Sequence, residues 1–124
     1  MANAADRAIA VRRAGPGDID ATSGLFLGYL RFYGKSTLED NARAFIADRL
    51  ERGDSVIFLA EDGGDALGFT QLYPSFASLS LAPSWILNDL FVDPQARGRG
   101  VGEALMDAAR RLAIDNGAAE LMLQ

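Results

Sequence analysis

One stretch of the chain, residues 85–112, places the strongest constraint on the fold. Residues 85–92, WILNDLFV, are bulky and mostly apolar and are followed by Asp93-Pro94, which predicts a strand that ends there. The next residues, QARGRGVG, carry glycine at positions 98, 100 and 102. Apolar residues then recur at helical spacing, at Val101, Leu105, Ala108 and Leu112. The stretch therefore predicts a strand, a glycine-rich turn and a helix, in that order.

This order of elements is typical of an anion-binding site. The first N–H groups of a helix have no intrahelical acceptor, and glycines allow a ligand to approach the backbone closely. A P-loop would need a lysine after its last glycine, but the only lysine is Lys35, and GxGxG does not match the dinucleotide pattern GxGxxG. A purely structural turn is a further alternative, although three glycines would cost about 0.5–1 kcal/mol each. The pattern favours a turn that binds pyrophosphate.

The turn resembles the pyrophosphate turn of the GNAT family of N-acetyltransferases, whose signature is [QR]-x-x-G-x-[GA]. Residues 95–100 and 97–102 both match it. The flanking segments LNDLFVDP and GEALMDAARRLA resemble the fourth strand and third helix of that family, and the resemblance is strongest over residues 68–124. Within the family, residues 68–92 look most like the small histone-and-polyamine acetyltransferases, in which a Tyr-x-x-Phe loop precedes the same strand.

The resemblance implies that acetyl-CoA is the cofactor. It also implies that the strand before the turn bulges away from the fifth strand, pairs with pantetheine through its backbone at residues 90–92, and stabilises the oxyanion with an N–H group. The cofactor-binding residues that it implies are Leu90, Phe91, Val92, Gln95, Arg97, Gly98, Arg99, Gly100, Val101 and Gly102.

Acetyl transfer to an amine requires a base, and the predicted catalytic residues are Asp89 and Asn88. In the polyamine acetyltransferases that the segment resembles, an acidic pair occupies these two positions. Strand alternation would send the two side chains to opposite faces, so only one is expected to be central. Asp89 is the predicted proton acceptor and Asn88 a residue that holds water, while the alternative for Asp89 is a structural carboxylate at a bulge. Glu61 and Tyr73 are reserve candidates.

The expected acceptor is the primary amine of a small, polyamine-like molecule that attacks directly in a ternary complex. Tyr29, Tyr33 and Tyr73 are the predicted substrate-binding residues, although core packing is an alternative for the aromatic group around Tyr29. Protein, peptide and aminoglycoside amines stay open as acceptors, because one fold serves many substrates. A non-catalytic acyl-CoA-binding module and a module completed by a partner are the rival functions.

Composition excludes several classes of chemistry. The chain has no cysteine and no histidine, so a disulfide, a Cys/His zinc site and an imidazole base are absent, and no spacing of oxygen ligands indicates another metal. A net charge of −5 disfavours nucleic-acid binding and is compatible with a cationic substrate. Neither a signal peptide nor a membrane-spanning segment is indicated, and a cytoplasmic location is expected.

The remaining segments predict a single α/β (α+β) domain over residues 1–124. The mixed, mostly antiparallel sheet would carry helices on both faces and end at the fifth strand. Residues 1–7 are predicted to be frayed. The expected order is a strand at 8–14, a helix capped by Asp18, a helix opened by the capping box at 36–39, a hairpin of 55–61 with 66–73, a loop at 74–83, the stretch described above, and a strand at 118–124.

The GNAT family continues past this fifth strand with a helix and a strand pair. The resemblance therefore implies a C-terminally truncated domain. Because the outer edge of the fifth strand would lack a neighbour, the chain is predicted to form a homodimer.

Overall fold

A computed structural model describes residues 8–124, which form one five-stranded sheet covered by helices on both faces. The frayed N-terminus predicted for residues 1–7 lies outside the described residues. The strands are β1 (Ala10–Arg13), β2 (Val56–Asp62), β3 (Asp65–Ala77), β4 (Ala82–Val92) and β5 (Glu120–Leu123). The helices are α1 (Ile19–Phe32), α2 (Glu39–Arg52) and α3 (Val101–Asp115). The strands lie in chain order; β1 to β4 pair antiparallel, and β4 pairs with β5 in parallel, which confirms the predicted mixed sheet.

The two faces of the sheet bury separate apolar clusters. On one face α1 and α2 pack against β2, β3 and β4, with Phe26 in contact with Phe69 at a ring-centroid distance of 6.2 Å. On the other face α3 covers the sheet through Leu105 and Ala109, both fully buried. Each buried leucine or phenylalanine contributes roughly 1.5–3 kcal/mol to folding. No helix within residues 8–124 is both long and apolar enough to cross a bilayer.

The loop predicted for residues 74–83 is wrong, because β3 and β4 extend into this segment as a protruding arm. Pro74 pairs with Trp85, and Ala77 pairs with Ala82. The pairing of β2 with β3 reaches only Leu72, so the arm has no neighbour from β2 on that flank. Proline is tolerated where one side of a strand is open, and for this reason Pro74 does not end β3.

The capping interactions at the helix starts differ from those predicted. Helix α2 begins at Glu39 with Leu38 as its N-cap, and no side chain caps it, so the capping box opened by Ser36 is wrong. Because α2 begins at Glu39, Ser36 lies too far upstream to be its N-cap residue. Glu39 instead places its charge in the first turn, where the helix dipole favours it. Asp18 does occupy the N-cap position of α1, but its carboxylate accepts a hydrogen bond from the Gly15 N–H (2.8 Å) and does not cap the helix.

Asp18 makes the stability of the fold sensitive to acid. Two guanidinium N–H groups of Arg12 donate to its carboxylate at 2.7 and 2.9 Å. These bonds, and next the Gly15 N–H, lower the pKa of Asp18 from 3.8 to about 2. Because the pKa is lower in the folded state, the stabilisation is present above about pH 4 and is lost as the pH falls toward 2.

We therefore expect Asp18→Asn to lower the melting temperature at neutral pH. The difference from the wild type should shrink as the pH falls from about 4 to about 2, because the wild-type carboxyl group then becomes protonated as well. Melting curves followed by circular dichroism across this range measure the effect. A difference that stays constant down to pH 2 would contradict the assignment.

Candidate active site

A β-bulge at Asn88 determines where the side chains of β4 point. Leu72 of β3 pairs with Leu87, while the residue before Leu72 pairs with Asp89, so Asn88 is an extra residue. Leu87 packs in the cluster under α3, whereas Phe91 packs in the cluster under α1 and α2. Regular alternation would put both on one face. The bulge therefore directs Asp89 and Phe91 toward α1, while Val92 packs on the α3 face.

Asp89 is 6% exposed, and its carboxylate accepts hydrogen bonds from three side chains. Gln71 donates from Nε2 to Oδ2 at 2.9 Å, and Asn88 donates from Nδ2 to Oδ1 at 3.1 Å. The third donor is the hydroxyl group of Tyr29 in α1. Ser55 donates to Oε1 of Gln71 at 2.8 Å, which fixes the orientation of that amide. Hydrogen bonds of this kind are what allows a carboxylate to be buried at tolerable cost.

The prediction that Asn88 and Asp89 point to opposite faces is wrong. The two side chains contact each other through the 3.1 Å hydrogen bond. The reason is the bulge, which interrupts the two-residue period of the strand between these positions.

Burial raises the pKa of Tyr29 well above its ordinary value, and the charge of Asp89 and the hydrogen bond to it raise it further. Burial, followed by the same charge, also raises the pKa of Tyr73. Both phenols therefore remain protonated at neutral pH. Tyr29 is consequently a hydrogen-bond donor to Asp89, in a position to exchange its proton with that carboxylate.

A cleft of about 310 Å³ lies beside the paired residues Leu87 of β4 and Leu123 of β5. The cleft is lined by Tyr29, Tyr33, Leu87, Asn88, Leu90, Met106, Leu123 and Gln124. Asp89 lies behind Asn88 and Tyr29 and reaches the cleft through them. A larger groove of about 630 Å³, between β1 and α3, contains none of the predicted site residues.

The glycine turn has the backbone geometry that an anion requires. Gly98 and Gly100 have φ angles of 82° and 80°, in the left-handed region that glycine adopts without strain. The first hydrogen bond of α3 runs from Ala104 N–H to Gly100 C=O, so the N–H groups of residues 101–103 have no acceptor within the helix. A Cβ atom at Gly98 or Gly100 would meet nothing within 4 Å. The turn therefore faces open space, and it fits a pyrophosphate group.

The two arginines of the turn have different surroundings. Arg99 forms an ion pair with Asp62 of β2 at 2.9 Å. The guanidinium group of Arg97 lies over the ring of Phe32, 5.5 Å from its centroid. The sequence motif did not show that the two arginines have different surroundings. The reason is that Asp62, the partner of Arg99, lies 37 positions away in the sequence.

The side chains of the other predicted cofactor residues are mostly used within the protein. Val101 is buried, Phe91 packs under α1, and Val92 packs near the start of α3, so their side chains serve the core. Leu90 lines the cleft. The Gln95 N–H group donates to the Asp93 side chain at 3.0 Å and shapes the start of the turn.

The remaining predicted residues are distributed over the site and its surroundings. Tyr33 stands at the rim of the cleft, 5.2 Å from Tyr29 between ring centroids. Tyr73 lies close enough to Asp89 to sense its charge but is outside the cleft lining. Glu61 accepts a hydrogen bond from Arg12 at 2.6 Å on the β1 side of the sheet, also outside the lining.

Gln71 and Ser55, which support Asp89, were not predicted from the sequence. The available signal for Gln71 was a polar residue within the apolar run GFTQLY of β3. A polar side chain that is fully buried in a strand requires a partner, and here that partner is the buried carboxylate.

A mixed sheet whose fourth and fifth strands run parallel, with a glycine turn and the start of a helix after the fourth strand, is the arrangement of an acyltransferase of the GNAT type. Residues 24–124 match the model of the acetyltransferase (GNAT) family, and the chain belongs to that family. It is accordingly an N-acetyltransferase, of a family that uses acetyl-CoA.

Individual relatives agree with this assignment. The uncharacterised N-acetyltransferase YhfO of Bacillus subtilis is 46% identical over 114 residues, which cover 92% of this chain and 76% of that protein. A probable acetyltransferase of Haemophilus influenzae is 32% identical over 94 residues, covering 75% of this chain and 64% of that protein. The crystal structure of a probable acetyltransferase, 38% identical, superposes with a TM-score of 0.88 over 93% of this chain and 78% of that one.

The raised pKa of Tyr29 leads to a prediction that alkaline titration can check. The chain has three tyrosines, and the phenolate absorbance should show a last ionisation step that Tyr29→Phe removes. Because the pKa is higher in the folded state, the contribution of protonated Tyr29 to stability is present below about pH 10 and is lost above it. The melting temperature of Tyr29→Phe should therefore fall less steeply above about pH 10 than that of the wild type. Tyr73→Phe is the matched control and should retain the last step.

Proposed function

We propose that this chain transfers the acetyl group of acetyl-CoA to the primary amine of a small, polyamine-like molecule, by direct attack in a ternary complex. The observation that carries the proposal is the buried carboxylate of Asp89, which Tyr29 and Asn88 connect to the cleft between β4 and β5. The glycine turn lies beyond the end of β4, the strand that carries this carboxylate.

The residues that would hold the cofactor are divided between the turn and β4. The backbone N–H groups of residues 98–102 and the guanidinium group of Arg97 would bind the pyrophosphate. The backbone of residues 88–92 would bind the pantetheine arm as a strand binds a neighbour. Acetyl-CoA, when bound, supplies an acetyl group already activated as a thioester.

Asp89 and Tyr29 would remove the proton that keeps the acceptor unreactive. An alkylammonium with a pKa near 10.4 is neutral in only about one molecule in a few thousand at pH 7, a handicap of about 4–5 kcal/mol. We propose that the Tyr29 oxygen takes this proton while the phenolic proton passes to Asp89. The free amine would then attack the thioester carbonyl carbon: the C–N bond would form, the C–S bond would break with its electron pair going to sulfur, and the proton lost by the nitrogen would pass to that sulfur to give the thiol.

Two features support a small cationic acceptor. The rings of Tyr29 and Tyr33 line the cleft, and Phe32 contacts Tyr33 at 5.3 Å beside it, so the entrance is aromatic. Aromatic faces attract ammonium groups, and a net charge of −5 adds a long-range attraction for cations. Tyr73 would contribute to the substrate site through its proximity to Asp89. The proposed site of action is the cytoplasm, where acetyl-CoA and polyamines occur together.

Thermal melting with acetyl-CoA tests the cofactor assignment. Binding should stabilise the wild type by about 2.7 kcal/mol at a hundredfold excess over the dissociation constant, and ATP or NAD should cause no shift. Gly100→Val should abolish the shift, because valine is strained at a φ of 80° and would project into the space in front of the turn. Gly17→Val, where a Cβ also meets nothing within 4 Å, is the matched control. An unchanged shift in Gly100→Val would contradict the pyrophosphate assignment.

Asp89→Asn separates an enzyme from a non-catalytic acyl-CoA-binding module. The variant should keep the melting shift and lose acetylation of a polyamine, by roughly a hundredfold or more. Free CoA release with a panel of polyamines, aminoglycosides and a lysine peptide measures turnover. A wild type that binds acetyl-CoA but turns over none of these amines would favour the binding module.

We also propose that the chain forms a homodimer through β5. This strand lies at the edge of the sheet, and Met122 and Leu123 are exposed on it. An edge strand offers a row of N–H and C=O groups to a second copy. Light scattering should give twice the monomer mass for the wild type and the monomer mass for Met122→Lys, because a charged lysine on the edge opposes strand pairing. A monomeric wild type would refute the dimer.

A further inference from the structure

Arg99 and Asp62 form an ion pair that joins the glycine turn to the C-terminal end of β2, at the same end of the sheet. Asp62 is the last residue of β2 and is 6% exposed, and Oδ2 accepts a hydrogen bond from Arg99 at 2.9 Å. Arg99 stands between Gly98 and Gly100, both of which are left-handed. The residue at the centre of the turn is therefore held from outside the turn.

The end of β2 is a suitable anchor for such a tie. A two-residue turn, Gly63-Gly64, with φ angles of 60° and 105°, connects Asp62 to Asp65 of β3, and these two residues pair across the hairpin. The glycine turn, in contrast, lies outside the paired strands. Ordering its glycines costs conformational entropy. An ion pair from its centre to a paired strand reduces the number of conformations that the turn visits before a ligand arrives.

The burial of Asp62 determines which partner Arg99 keeps. If Arg99 turned toward a phosphate, the buried carboxylate of Asp62 would lose a charged donor that lies 2.9 Å away, and removing one partner of a buried ion pair is costly. Arg97 carries no such constraint. Its guanidinium group lies over the ring of Phe32, 5.5 Å from the centroid, and a cation–π contact of this kind leaves N–H groups available to an anion.

We infer that Asp62 is a positioning residue for cofactor binding: through Arg99 it holds the glycine turn in the conformation that receives pyrophosphate, and Arg97 is the arginine that contacts the phosphates. The inference rests on the proposed binding of acetyl-CoA to this turn. It assigns opposite roles to two arginines that the sequence motif treats alike.

Calorimetric titration with CoA distinguishes the two roles. Asp62→Asn and Arg99→Ala should each weaken CoA binding about tenfold, because small displacements of a preorganised site have effects of this size or larger. The double variant should bind no more weakly than either single variant, since both remove the same tie. If Arg99 itself contacted phosphate, Arg99→Ala would weaken binding while Asp62→Asn left it unchanged or tightened it. That result would overturn the inference.

Further variants separate positioning from general destabilisation. Arg99→Lys keeps a cation opposite Asp62 and should restore most of the affinity. Arg97→Ala should lessen the dependence of CoA affinity on salt concentration, because it removes a phosphate charge contact, whereas Asp62→Asn should preserve that dependence. Failure of either expectation would count against the assignment.

Asp107→Asn is the matched control, since Asp107 pairs with Arg110 at 2.5 Å on the exposed surface of α3. It should bind CoA as the wild type does, and an equal loss of affinity in this control would remove the support for a specific role of Asp62. All titrations are made well below the melting temperature of each variant. A wild type that fails to bind CoA would overturn the proposed function, and the inference with it, whereas normal wild-type binding with an unaffected Asp62→Asn would overturn the inference alone.

Discussion

Burial of the Asp89 carboxylate is the constraint on which the rest of the site depends. A carboxylate removed from water must receive hydrogen bonds, and its donors Gln71, Asn88 and Tyr29 come from β3, β4 and α1. These three elements must therefore meet at one point. The close approach of α1 to β4 follows, and it requires glycine at position 28, where a Cβ atom would lie 3.1 Å from the Phe91 ring.

Local signals explain what could be predicted. The turn at residues 97–102 and the helix after it are encoded by neighbouring residues, and the hairpin of β2 and β3 by Gly63-Gly64. The bulge at Asn88 has no local signal, because an extra residue in a strand is visible only when the partner strand is known. The Arg99–Asp62 ion pair joins distant parts of the chain and was hidden for the same reason. The hydrogen bond between Gln71 and Asp89 likewise joins two strands, so it was visible only in the folded structure.

In the proposed site, cofactor and acceptor would be bound by different parts of the polypeptide. The proposed cofactor side consists mainly of backbone N–H groups and glycine geometry, which depend little on side-chain identity once the turn is formed. The proposed acceptor side consists of side chains such as Tyr29, near the end of α1, and Tyr33, the residue that follows α1. A family built in this way retains one cofactor while its members change acceptors by altering a few side chains around the cleft.

The bulge divides β4 into two parts whose side chains alternate in opposite registers. Side chains before Asn88 obey one alternation and those after it obey the opposite one. Deletion of this single residue would exchange the faces of everything from Asp89 to Val92, and the carboxylate would turn away from Tyr29 toward α3, although every remaining side chain would be chemically intact. We therefore expect this position to tolerate changes of residue type better than changes of length, because a deletion here would remove the carboxylate from the proposed site.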